Sequence, residues 1–166
     1  MKDTFQIRVC FIFREVYGEE PVMQKKILIY NNTTGIADRI EPLLMGEKME
    51  VLVAESAADL ERELQKKEIH LLLVDLKLED KGWDKGIEMI AILRAKSRIP
   101  LIVVSGQSAE TAKVMALEAG ADDYVMADCN PLELLARIKS QLRRYTQLVN
   151  VRESIDRIYQ VDGLVV

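Results

Sequence analysis

From Lys25 to Asn130 the chain alternates short apolar runs with longer amphipathic stretches. The apolar runs are ILIY (27–30), EVLVA (50–54), IHLLLV (69–74) and PLIVVS (100–105), with a weaker fifth, DYVM (123–126). The central runs are continuous rather than alternating, which predicts strands covered on both faces. The stretches between them carry helical spacing. GIADRIEPLLMG puts Ile36, Ile40, Leu43 and Leu44 on one side, with Pro42 predicting a kink or a short helix. SAADLERELQKKE opens on Ser56 as N-cap and sets Leu60 and Leu64 four apart. KGIEMIAILRAKS presents Ile87, Ile90 and Leu93. SAETAKVMALEAG is predicted to turn Val114, Met115 and Leu117 inward and to stop at Gly120. NPLELLARIKSQLRRY has Asn130 as cap and Pro131 in the first helical position.

Strand and helix thus alternate five times, which predicts a parallel sheet with right-handed crossovers and helices on both faces. Such a sheet builds its site at the carboxyl ends of its strands. The residues that follow the strands are Asn31 and Asn32, Glu55, Asp75, Ser105, and Ala127 with Asp128.

Both ends of the chain fall outside this unit. Residues 1–22 hold Phe5, Ile7, Val9, Phe11 and Phe13 in strict alternation. They read either as a strand that pairs on a sheet edge or between two chains, or as non-native or upstream sequence before a true start at Met23. Beyond Tyr145, Val149, Ile155 and Tyr159 keep a helical spacing with Leu142, so the last helix is expected to continue as a stalk. IYQVDGLVV then reads as the opening strand of a further domain. Residues 23–145 form the predicted domain, and 146–166 a linker with the start of a truncated output domain.

Composition narrows the function classes. Hydrophobic residues make up 49% and charged residues 30%, with a net charge of −4 and a pI of about 5.2. That balance argues against binding nucleic acid or anionic membrane by charge. Cys10 and Cys129 lie in no CxxC pair or metal-ligand spacing and read as reduced thiols; the single histidine, His70, reads as a strand-start residue. No apolar run approaches the ~20 residues of a membrane helix. The stretch TFQIRVCFIFREV carries Arg8 and Arg14 within it and is not a signal peptide. The expected compartment is the cytoplasm. NNTTG after the first strand has one glycine, so it is no glycine-rich phosphate loop. Helix capping accounts for Thr33 and Thr34 better than a phosphate contact does. An enzyme of this shape is not expected.

GADDYV followed by NPLELLARIKSQLRR, with HLLLVDLKL and IPLIVVSG in order before them, resembles the receiver domain of bacterial two-component response regulators. The likeness runs from about Lys25 to Arg144 and is strongest to receivers that precede a winged-helix DNA-binding domain. It implies a flavodoxin-like (βα)5 fold, a doubly wound parallel five-stranded sheet of order 2-1-3-4-5. It also implies a phosphoacceptor at Asp75 and switch residues at Ser105 and Tyr124. A sensor histidine kinase is the implied partner, and DNA is reached only through a missing C-terminal domain. A homodimer through the fourth helix, fifth strand and fifth helix is implied as well. Lys113, Asp122, Asp123, Glu133, Arg137 and Arg143 are of the right types there.

The chain departs from the family at the chemistry. The acidic pair that holds Mg²⁺ falls on Asn31 and Asn32, and the lysine after the fifth strand falls on Ala127, followed by Asp128 in place of proline. Mg²⁺ takes charged oxygen ligands, so two amides leave only weak binding at Asp75 and Asn32. No cofactor is expected. Each lost electrostatic donor is worth ~3–4 kcal/mol of transition-state stabilisation, a hundredfold or more in rate. The expectation is an atypical receiver, phosphorylated weakly or not at all at Asp75; the alternative is a conventional switch through Asp75, Ser105 and Tyr124. The segment LEDKGWDKG departs too, with Glu79 where proline is usual and Gly86 late. It reads as an enlarged loop in which Lys77, Lys81 or Lys85 stands in for the missing cation, or is merely solvated. Trp83 is its candidate partner contact.

Overall fold

The structure, a computed structural model, describes residues 24–30, 34–66, 68–76, 83–106 and 110–161. The alternating strand at Phe5–Phe13, Cys10, Asn31, Asn32, Thr33, Lys77, Glu79 and Lys81 lie outside these residues, as do the Trp83 side chain and the segment 162–166.

Five parallel strands form one sheet in the order β2-β1-β3-β4-β5. They are β1 (Lys26–Tyr30), β2 (Glu50–Ala54), β3 (Leu71–Leu76), β4 (Leu101–Ser105) and β5 (Asp123–Met126). The helices are α1 (Ile36–Gly46), α2 (Ala57–Gln65), α3 (Trp83–Lys96), α4 (Glu110–Glu118) and α5 (Pro131–Val161). This is the predicted flavodoxin-like fold. The side chains of β3 and β4 are buried throughout, because helices cover both faces of the central strands. One face packs Leu28, Leu72, Val74, Val103 and Tyr124 against Leu60 of α2, Ile90 and Leu93 of α3, and Ala112 and Ala116 of α4. The other packs Ile27, Ile29, Leu73, Val104 and Val125 against Ile36, Ile40 and Leu44 of α1 and Leu134, Ile138 and Leu142 of α5.

Local signals behave largely as expected. The Ser56 hydroxyl accepts from the Asp59 amide at 3.1 Å, and Asn130 Oδ1 accepts from the Leu132 amide at 2.9 Å. Gly120 stops α4 with φ +113°, a conformation that L side chains rarely adopt. A Cβ there would also lie 2.7 Å from Arg94 Cγ. The α1 helix runs unbroken through Pro42.

Three expectations need correction. The inward face of α4 is Ala112 and Ala116, while Val114 and Leu117 stand 53% and 39% exposed. Small side chains let this helix lie close to the sheet, which turns the larger ones outward. The α3 helix begins at Trp83, so Trp83 and Lys85 belong to a helix and not to the preceding loop. The α5 helix continues as a stalk, but through Val161, so Ile158–Val161 is helical rather than the opening of a strand. No strand among the described residues lies alongside to pair with it, and the backbone groups are satisfied by the helix's own ladder.

His70 precedes β3 and ties it to β1. Its Nδ1 accepts from the Lys26 amide at 3.2 Å, and its own amide donates to the Lys26 carbonyl at 2.9 Å. Burial, with Lys25 nearby, pushes the imidazole below its ordinary range. A protonated Nδ1 could not accept, so folding favours the neutral ring. The unfolded chain therefore binds the proton first, and stability falls as pH drops below about 6.5. The carboxylates of Asp59, Glu61, Glu63 and Glu68, all held below their ordinary values, titrate beneath that window. Melting temperatures at about pH 7.5 and about pH 5.5 should differ less in His70→Gln than in the wild type. An unchanged difference would remove His70 as the source.

Candidate functional site

Asp75 is the fifth residue of β3, beside Val104 of β4 in the sheet register. It is one of two buried polar residues among the described core; the other is Ser105, and both are wholly inaccessible. Alternation along the strand sets Asp75 with Leu73, on the face covered by α1 and α5. Ser105 ends β4, next to Leu76, and its carbonyl accepts from the Ala127 amide at 2.8 Å. Ala127 follows β5 and is buried on the α1–α5 side. Tyr124 is buried within β5 opposite Val103, on the other face. The carboxyl ends of three adjacent strands thus bring Asp75, Ser105 and Ala127 to one end of the sheet, with Tyr124 behind them.

Thr34 is the residue that closes on Asp75. Its amide donates to Asp75 Oδ2 at 2.6 Å, and its hydroxyl donates to the same oxygen at 2.8 Å. The capping role expected for Thr34 is not the one it takes. The N-cap of α1 is Gly35, in the left-handed conformation at φ +67°, and no side chain caps this helix. The glycine lets the backbone turn sharply between Thr34 and the helix, and this aims both Thr34 donors at β3 rather than at α1. Both donors of one residue thus converge on a single carboxylate oxygen.

A second residue that the sequence reading missed is Arg39, one turn further along α1. Its guanidinium donates to the Ala127 carbonyl, and at 2.7 Å to the Cys129 carbonyl. A cation therefore sits on the turn after β5, arriving from α1 rather than from position 127. Its partners are main-chain oxygens, and no residue type in the sequence announces them. Burial keeps the Cys129 thiol above its ordinary range, so it is a protonated, free side chain.

The predicted dimer residues lie on α4, on and just before β5, and on α5, where several are engaged within the chain. Asp122 pairs with Arg94 and accepts from the Leu101 amide at 2.8 Å. Arg137 bridges Asp123 at 2.9 Å and Glu133 at 2.8 Å, and both partners raise its pKa, Asp123 the more. Lys113 and Arg143 are exposed.

For a divalent cation the donor set is poor. Asp75 offers one carboxylate whose Oδ2 is already taken twice. Among the described residues no group of three His, Cys, Asp or Glu side chains gathers as metal ligands. The described residues alone therefore supply few of the oxygen ligands that Mg²⁺ takes. No helix among the described residues is long and apolar enough to cross a membrane.

A parallel sheet of this order, with a buried aspartate near the carboxyl end of its third strand, is the architecture of a flavodoxin-like receiver. The chain belongs to the response regulator receiver domain family, whose profile matches residues 27–139. It is 35% identical over 144 residues to the regulatory protein VanR of Enterococcus faecium, covering 87% of this chain and 61% of that protein. It is 31% identical over 122 residues to the DNA-binding response regulator MtrA of Mycolicibacterium smegmatis, covering 74% of this chain and 52% of the relative. The chain thus spans little more than half the length of these curated relatives. Among solved structures it resembles a CheY-like receiver domain from Methanospirillum hungatei, with a TM-score of 0.62 and 31% identity over 75% of this chain and 98% of that one. The receiver domain of the TMAO respiratory regulator TorR matches with a TM-score of 0.64 and 30% identity, over 73% and 98%.

Proposed function

We propose that this chain is an atypical receiver, a signalling and dimerisation module of a two-component transcriptional regulator, in which Asp75 is phosphorylated weakly or not at all. The observation that carries this reading is the state of Asp75: fully buried, with Oδ2 held by two Thr34 donors, and with alanine at the position from which a lysine would reach it. A phosphoryl group arriving at Asp75 brings negative charge, and transfer needs a metal or a cation to offset it. Asn31, Asn32 and Ala127 supply neither. Regulation then acts through association, on the α4–β5–α5 face that carries Lys113, Asp122, Asp123, Glu133, Arg137 and Arg143. Its partners are a second copy, a sensor histidine kinase, and DNA through the remainder of a longer regulator; the name of one relative, a DNA-binding response regulator, supports the last of these.

The second reading is a conventional phosphoacceptor switching through Asp75, Ser105 and Tyr124. What supports it is that Asp75, Ser105 and Tyr124 lie on the adjacent strands β3, β4 and β5. One measurement separates the two. Intact mass is recorded after incubation with acetyl phosphate and Mg²⁺, beside Asp75→Ala. The atypical receiver stays at its unmodified mass over the time in which a conventional one is modified. A one-phosphate gain in the wild type alone establishes the conventional switch. Sedimentation at several concentrations without phosphodonor then tests for a dimer that needs no trigger.

A further inference from the structure

We infer that Thr34 is the positioning residue that keeps Asp75 unreactive, by supplying from within the chain the donors that a metal ion would otherwise replace. The inference deepens the reading of Asp75 as a weak phosphoacceptor and rests on it. A carboxylate oxygen accepts at two lone-pair sites. Oδ2 receives the Thr34 amide at 2.6 Å and its hydroxyl at 2.8 Å, so both sites are filled. Oδ2 then has no free lone pair unless one of these bonds opens, and because the carboxylate charge is delocalised over both oxygens, the same two donors also weaken Oδ1 as a nucleophile and as a ligand. In the transfer step an Asp75 oxygen bonds to phosphorus, the bond from phosphorus to the acetate oxygen breaks, and acetate leaves with that electron pair. Donors that lower the energy of the resting carboxylate raise the barrier to this step unless they bind its transition state equally well.

The arrangement depends on more than the presence of a threonine after β1. Gly35 adopts φ +67°, with nothing within 4 Å of where a Cβ would stand. That turn brings the amide and hydroxyl of one residue onto one oxygen. Asp75 itself is wholly inaccessible, so solvent does not compete for the oxygen.

The test compares wild type, Thr34→Val and Thr34→Ser. Valine keeps the shape and the amide but removes the hydroxyl donor; serine keeps both donors. Two quantities are read: the rate of mass gain with acetyl phosphate and Mg²⁺, and the affinity for Mg²⁺ alone by titration calorimetry. A hydrogen bond to a charged group is worth enough that Thr34→Val should react about tenfold faster than wild type. It should also bind Mg²⁺ more tightly, while Thr34→Ser matches wild type in both. If Thr34→Val is equal to wild type or slower, the inference is overturned, because the hydroxyl would then be neutral or would help the transfer. Thr34→Ala, melted beside the others, serves in place of valine if that variant does not fold. Rapid modification of the wild type would sink the reading of a weak phosphoacceptor. The ratio between valine and wild type would still decide the role of Thr34.

Discussion

Restoring three charges should convert this domain into a working phosphoacceptor. The variant Asn31→Asp, Asn32→Asp, Ala127→Lys is expected to take up phosphate from acetyl phosphate with Mg²⁺ at least about a hundredfold faster than the wild type. In the family, two carboxylates after the first strand join the phosphoacceptor in a cluster whose mutual repulsion a divalent cation relieves, so Mg²⁺ affinity should rise with the two aspartates. The lysine supplies the positive charge that holds the transferred oxygens. Its position is favourable, because Ala127 follows β5 directly and its amide is fixed on the Ser105 carbonyl at 2.8 Å, one strand from Asp75. Arg39 grips the carbonyl of residue 127, not its side chain, so the substitution leaves that contact intact. The rate is followed by intact mass, with the same triple change on Asp75→Ala as control. If the triple variant reacts no faster than wild type, charge at these positions is not what limits the site.

Arg94→Ala is expected to cost about 2–3 kcal/mol of stability. The Arg94 side chain, only 26% exposed, donates to the Gly120 carbonyl at 2.7 Å and the Ile99 carbonyl at 3.1 Å, and pairs with Asp122. Asp122 in turn accepts from the first amide of β4. One guanidinium therefore joins the end of α3, the approach to β4 and the turn between α4 and β5. Truncation removes donors from carbonyls that the helix ladder cannot serve, and it leaves Asp122 without its counter-charge. The melting temperature should fall by about 5–10 °C. Arg94→Lys should recover only part of this, since an ammonium cannot reproduce the planar fork. A loss under about 1 kcal/mol in urea denaturation would instead place Arg94 with ordinary exposed ion pairs.

The fold was legible because its signals are local and repeated. Continuous apolar runs gave β3 and β4, and Ser56, Asn130 and Gly120 marked helix ends by their own chemistry. The site was legible only where its residues come from strand ends: Asp75, Ser105 and Ala127 needed no more than their place after an apolar run. Thr34 was assigned to helix capping because a hydroxyl before a helix usually serves that end. Only the sharp turn at Gly35 sends it to another strand. Arg39 was missed because it binds carbonyls, which every residue has. The face of α4 was misjudged for a related reason. A helix tight against a sheet selects small residues, so the larger apolar ones mark its outer side.

The long terminal helix has a mechanical consequence. At 1.5 Å per residue, the 31 residues of α5 reach about 46 Å. Its root is the turn that the Arg39 guanidinium grips, and its far half extends beyond Leu142, the last of its residues in the buried cluster. The lever beyond Leu142 is about 28 Å, so a tilt of about 5° there sweeps the tip through about 2.5 Å, by simple proportion to its length. A displacement too small to disturb the sheet is thus magnified where the helix leaves it.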